Sequence, residues 1–191
     1  MKSFVLGNGR SRLNASLNEL KSYGATYGCN AIYREFDPDY LIAVDAKMIL
    51  EIDAVQYQQK RPVWTNPNKE TRNCSGLNYF TPSLGWSSGP SALHLASLHN
   101  PKEIYMLGFD YVGRNGLINN VYADTDNYKK SSDIATYYGN WKDQTEQVIR
   151  KNIHISYYRV VDDHNYYSLD WNYVNFTEIT YTEFNEKKAK W

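Results

Sequence analysis

Ser3-Phe4-Val5-Leu6-Gly7-Asn8-Gly9-Arg10-Ser11 joins a short apolar run to a glycine turn. Behind the turn Leu13, Leu17 and Leu20 recur at helical spacing, so the chain opens as strand, glycine turn and helix, the first unit of an α/β domain. The alternation continues. Residues 25–32 and 40–44 read as strands, Ala46 to Val55 as a helix with Met48, Ile49 and Ile52 on one side, and Pro62 to Thr65 as a fourth strand. Residues 66–82, rich in Asn, Pro, Thr and Gly, read as loop. Ser88-Gly89-Pro90 opens a helix through Leu98, and Glu103 to Leu107 is a fifth, strongly apolar strand. Asn140 to Lys151 carries Val148 and Ile149 on an amphipathic helix, and Ile153 to Val161 is read as the last strand of the main sheet. The expected architecture is a Rossmann-like, doubly wound, mostly parallel sheet with helices on both faces. Residues 111–138 have no hydrophobic period and are expected to form a lid loop; residues 162–191 read as a C-terminal extension.

The 191 residues suit one domain, read as a single unit over residues 1–191. Lys plus Arg equal Asp plus Glu at 21 each, so no global field recruits nucleic acid or an anionic membrane. An apolar fraction of 42% with 15% aromatic residues excludes a disordered chain. No apolar run approaches the ~18 residues of a membrane span, and the stretch before Gly7 is too short for a signal peptide, so a cytoplasmic protein is expected. Two cysteines, Cys29 and Cys74, make neither a disulfide framework nor a zinc spacing. Tyrosine, at 18 residues against 6 phenylalanines, suits polar clefts as well as cores.

In a doubly wound sheet the ligand lies beyond the carboxyl ends of the strands, where turns present N–H groups and helix N-termini. Gly7, Asn8, Gly9 and Ser11 follow the first strand, with a helix dipole behind them expected to favour phosphate. Asn30 stands near the end of the second strand, Asp45 after the third, Ser87, Ser88 and Gly89 ahead of the long helix, and Asp110 after the fifth strand. These positions are expected to share one rim and to bind a nucleotide without a metal or cofactor. Asp45 and Asp110 are the carboxylates for ribose binding or general-base work, against an N-capping role. The dinucleotide fingerprint is absent: Arg12 occupies the third glycine position and Asn30 the place of the acid. No G-x-x-x-x-G-K-[ST] loop is present either.

Taken in order, Leu6-Gly7-Asn8-Gly9-x-Ser11, Gly28-Cys29-Asn30, Ser87-Ser88-Gly89, Lys102-Glu103-Ile104-Tyr105-x-x-Gly108-Phe109-Asp110 and Tyr122-Ala123-Asp124-Thr125 resemble the small bacterial sialyltransferases that use CMP-sialic acid, from residue 3 to about residue 160. More distantly, the opening resembles Rossmann-like hydroxymethylpterin diphosphokinases and motility-accessory glycosyltransferases. The first resemblance implies that Asn8, Gly9 and Asn30 hold the nucleotide and its phosphate and that Ser88 contacts the nucleotide. It implies that two loop tyrosines bind the departing phosphate in place of a metal. One matches Tyr122; the other falls on Val112, beside Tyr111. Asp45 replaces an asparagine and suits a ribose hydroxyl. The catalytic histidine ahead of the late helix is replaced by Asn140, which accepts no proton. None of His94, His99, His154 and His164 stands at that place, leaving Asp110, Asp133 or Asp143 as base.

The expected activity is therefore metal-independent glycosyl transfer from a CMP- or UDP-linked sugar to an acceptor hydroxyl. The acceptor is a saccharide or a hydroxymethylated base in phage-type DNA. An ATP-dependent diphosphokinase-like transferase and a non-catalytic nucleotide binder are the alternatives. The DNA option needs a basic groove, for which Lys60-Arg61, Lys129-Lys130 and Arg150-Lys151 are the adjacent pairs outside the tail. The tail leaves packing on the body or homo-oligomer contacts open.

Overall fold

A computed structural model describes all 191 residues. Eight strands, β1 (Lys2–Leu6), β2 (Gly24–Cys29), β3 (Tyr40–Ile42), β4 (Val63–Thr65), β5 (Asn78–Tyr79), β6 (Glu103–Leu107), β7 (Ser156–Val161) and β8 (Phe176–Thr180), form one all-parallel sheet in the order β5-β4-β3-β2-β1-β6-β7-β8. The expected doubly wound α/β class is the observed one. Side chains alternate across the sheet. Phe4, Leu6, Tyr105 and Leu107 face a layer containing Leu20, Ile32, Met48, Ile52 and Phe184. Val5, Ile104 and Met106 face a layer containing Leu93, Ala96, Val148 and Ile149. Both faces are covered, which is why the central strands read as unbroken apolar runs.

The first layer is built by α1 (Leu17–Leu20), α2 (Ala46–Ala54) and α5 (Tyr181–Lys188), the second by α3 (Ser88–Leu98) and α4 (Gly139–Lys151). From β1 the chain works outward to β5, then returns to place β6 on the other side of β1. Leu6 pairs with Gly28 on one flank and with Leu107 on the other. The order reverses between β1 and β6, the switch point at whose carboxyl end a crevice is expected in such a sheet.

Several expectations about elements require correction. The leucine-spaced segment is not one helix: a 3₁₀ turn, Arg10–Asn14, is separated from the single turn α1 by Ala15 in extended conformation, and Leu13 is 57% exposed. Tertiary bonds win over periodicity there, because Ser11 is tied to Asp110 and Arg12 to Glu35 and Tyr122. The second strand ends at Cys29 because Asn30 turns left-handed at φ +53 and starts a second 3₁₀ turn, Asn30–Arg34. Within residues 66–82, β5 extends the sheet edge. Ser156–Val161 is not the last strand: β8 pairs beside it, and α5 follows with a capping box between Thr180 and Glu183. The tail packs on the body, with Trp191 against Phe4, Tyr105 and Phe184.

Candidate functional site

The crevice starts with two interlocked loops. The Gly7 N–H donates to the Leu107 carbonyl at 2.8 Å, and the Gly9 N–H donates to the Gly108 carbonyl at 2.9 Å. A Cβ on Gly7 would stand 2.6 Å from the Gly108 oxygen, and one on Gly9 2.5 Å from Asp110 Cγ. The glycines therefore serve the close approach of the β1 and β6 loops to each other. The Arg10 N–H donates to Asn119 Oδ1 at 3.1 Å and the Ser11 N–H to Asp110 Oδ2 at 3.0 Å, so these amides point into the protein. No α-helix starts at this turn, which corrects the expected dipole behind it. The helix N-terminus that faces the crevice is that of α3, with Ser87 at its N-cap.

Ten of the thirteen residues expected to form the site line a single cavity of about 320 Å³: Gly7, Asn8 and Gly9; Asn30; Asp45; Ser87, Ser88 and Gly89; and Asp110 with Tyr111. Ser88 Oγ donates to Asn30 Oδ1 at 2.7 Å and accepts from the Val44 N–H at 3.2 Å, so one hydroxyl joins the ends of β2 and β3 to α3. Asn8 is held from behind, accepting from Arg12 Nη1 at 3.4 Å and donating to the Tyr128 hydroxyl at 3.4 Å. Asp45 occupies the N-cap position of α2 but makes no capping bond, leaving an exposed, uncommitted carboxylate at the rim. Asp110 accepts from the Ser11 N–H, from Ser11 Oγ and from Asn119 Nδ2, the last at 3.1 Å. Tyr111 is left-handed at φ +63, and its hydroxyl is buried without a hydrogen-bond partner. Burial pushes that phenol up to about 12, so it is a neutral donor at ordinary pH.

Three expected residues lie elsewhere. Ser11 faces a neighbouring cavity. Tyr122 is 6% exposed behind the glycine loop, its hydroxyl donating to Glu35 Oε1 at 2.5 Å and accepting from Arg12 Nη2 at 3.0 Å. That hydroxyl is already engaged on both sides, and burial raises its pKa. The tyrosine nearer the cavity is Tyr128, whose oxygen accepts from the Asn8 amide and, at 3.3 Å, from the Ala31 N–H. Asn140 is exposed in the first turn of α4, and its neighbour Trp141 lines the cavity instead. Asp133 and Asp143 are exposed and line none of these cavities. His94 packs on Trp86 and Phe80, His99 bonds Tyr27, and His154 bonds Asn100.

Sequence reasoning missed Asn119, Asn120, Trp141 and Thr145, which complete the walls. The adjacent asparagines within an aperiodic segment and a tryptophan in the first turn of an amphipathic helix were the available signals. Beyond Trp141 the crevice continues into a space of about 270 Å³ under residues 111–138, lined by Asn30, Asp45 and Tyr128 among others.

The basic pairs do not form a groove around the cavity. Lys60 and Arg61 both pair with Asp37, at 3.4 and 2.9 Å. Arg150 and Lys151 stand at the C-terminal end of α4, whereas Trp141 and Thr145 nearer its start line the cavity. Only Lys129 lines a connected space. No three His, Cys, Asp or Glu side chains come together as a potential metal site, and no helix is long and apolar enough to cross a membrane.

No protein-family model matches this sequence, and no curated protein is significantly similar to it. Among solved structures, the chain is similar to the sialyltransferase CST-II, determined in complex with a trisaccharide acceptor and CMP, with a TM-score of 0.54. That alignment covers 100% of this chain and 99% of that chain at 13% sequence identity. At that identity the likeness shows a shared Rossmann-like fold.

Proposed function

We propose that this protein is a glycosyltransferase that takes a CMP- or UDP-linked sugar in the β1/β6 crevice and transfers the sugar to a saccharide hydroxyl. The observation that carries this reading is the convergence of Asn8, Asn30, Asp45 and Ser88 with the α3 N-terminus on one cavity at the topological switch point. The sheet order and the likeness to a structure that holds CMP and a saccharide support it. The α3 N-terminus and the Asn8 and Asn30 amides hold the phosphate, where oriented dipoles stabilise developing charge. Asp45, with no other partner, accepts the ribose hydroxyls.

In the transfer, the acceptor oxygen forms a bond to the anomeric carbon while the bond from that carbon to the phosphate oxygen breaks. The breaking pair leaves on the nucleotide phosphate, and the acceptor proton passes to Asp110. An ionised carboxylate offers about four lone-pair sites. Asp110 uses three on Ser11 and Asn119, which orient it and leave one for the acceptor hydroxyl. Transfer without a resident metal is part of this reading.

Donor turnover by wild type and Asp110→Asn, each with and without excess EDTA, tests it. The variant is expected to bind donor normally and lose about 10²–10⁴-fold in turnover, with EDTA without effect. Nucleotide binding without any turnover by wild type would instead make the chain a non-catalytic binder. Turnover that persists in EDTA speaks against the diphosphokinase-like alternative, and turnover lost in EDTA would overturn the metal-independent part of the reading.

A further inference from the structure

Beside the nucleotide crevice lies a larger polar cavity of about 480 Å³, between residues 111–119 and the turn that follows β7. We propose that this cavity binds the acceptor as a neutral saccharide; the proposal rests on the glycosyltransferase reading above. Asp110 and Asn119 line both cavities, so a sugar donor on one side and an acceptor on the other meet at the same carboxylate.

The chemistry of the walls fits a polyol. Arg114 and Asn115 project from one side, Asp162, Asn165 and Tyr166 from the other. Asp162 Oδ1 accepts from the His164 and Asn165 N–H groups, at 3.1 and 3.3 Å, which fixes that turn and leaves its second oxygen without a protein donor. Vicinal hydroxyls both donate and accept, and they can satisfy a carboxylate, a guanidinium and side-chain amides together. Tyr166 is 47% exposed and offers a ring face for the apolar side of a pyranose.

The floor is rigid. Arg159, buried in β7, donates to the Phe109 carbonyl at 2.8 Å, the Tyr167 carbonyl at 2.7 Å and Glu178 at 2.5 Å, binding the β6 loop to the tail. Arg159 is paired with Glu178, which leaves Arg114 against Asp110 and Asp162, so the cavity does not favour a phosphate backbone. Its volume lies in the about 300–1,000 Å³ range of small-ligand sites.

The experiment uses the full chain and the disaccharides lactose, maltose and chitobiose as probes. Saturation-transfer NMR is recorded on wild type and on Asn165→Ala/Tyr166→Ala, with Asp162→Asn as a milder second variant. Donor hydrolysis by water and transfer to the disaccharide are measured in parallel. At least one disaccharide is expected to bind wild type, with its signal reduced at least fivefold in the double variant. Its KM as acceptor should rise tenfold or more while donor hydrolysis stays within twofold. The proposal is overturned if no disaccharide binds wild type, or if binding and acceptor KM are the same in all three proteins. It is equally overturned if an oligonucleotide with a hydroxymethylated base binds in a variant-sensitive way and the sugars do not. Wild type that neither hydrolyses donor nor transfers from it would sink the transferase reading, while the NMR arm would still report on the cavity.

Discussion

Asn30 shows how much a single residue can carry. Its backbone is left-handed at φ +53, and its side chain accepts the Ser88 hydroxyl that also receives the Val44 N–H. Alanine at a left-handed position costs about 1 kcal/mol more than glycine or asparagine. Asn30→Gly should therefore unfold within about 0.5 kcal/mol of wild type in urea, and Asn30→Ala about 1 kcal/mol below the glycine variant. Both should weaken nucleotide-sugar binding by about tenfold, the loss of roughly one charge-assisted hydrogen bond. Equal calorimetric affinities for all three proteins would remove Asn30 from the site. At this scale the sequence was informative where a polar residue stands within three positions of a strand's end, as with Asn8, Asn30 and Asp45. It was not informative for the tyrosines. Tyr122 and Tyr128 lie six apart in the same aperiodic loop, and the buried Arg12 guanidinium, with Glu35, decides that Tyr122 turns inward.

At the scale of elements, the site depends on the β1 and β6 loops closing on each other. Gly9→Ala places a Cβ 2.5 Å from Asp110 Cγ and 2.7 Å from the Gly108 oxygen, so one loop must move. A stability loss of about 1–3 kcal/mol is expected from overpacking of this kind. Donor turnover should fall with it, because Asp110 is displaced; a variant with wild-type midpoint and turnover would show that the interlock is not needed. The glycine turn was legible as a turn, but its neighbours were not legible as a broken helix. Leucine spacing describes what a helix would bury, whereas Ser11 is held by Asp110 and Arg12 by Glu35 and Tyr122, residues far away in sequence. β8 and α5 had a local signal that composition obscured: the Thr180 to Glu183 capping box, set in a stretch rich in Tyr, Trp and Asn.

Across the whole molecule, ion pairs distribute the pH dependence away from the crevice. Burial alone would raise Asp37, but hydrogen bonds from Arg61 and Tyr57 and the Arg61 charge outweigh it and hold the carboxyl at about 2. Glu51 is likewise held low, chiefly by its hydrogen bond from Arg34. A depressed folded-state pKa contributes stability above the unfolded value, near 3.8, which is lost as pH falls through the folded value. Unfolding free energy should decline between about pH 4 and pH 2, and Asp37→Asn should flatten that decline by about 1 kcal/mol, discounted for the exposure of its partners. A pH profile identical to wild type would show that the pair contributes nothing.

Strand alternation and apolar runs by themselves determined an α/β sheet with polar residues at its carboxyl edge, because burial on two faces and the period of the chain are local properties. Only the tertiary structure decided which of those residues meet: it brought Asn8, Asn30, Ser88 and Asp110 together, turned Tyr122 away, and completed the walls with Asn119, Trp141 and the tail. The return of β6 beside β1 and the reach of two buried arginines, Arg12 to Tyr122 and Arg159 to Phe109, are contacts between distant segments, and no local period encodes them.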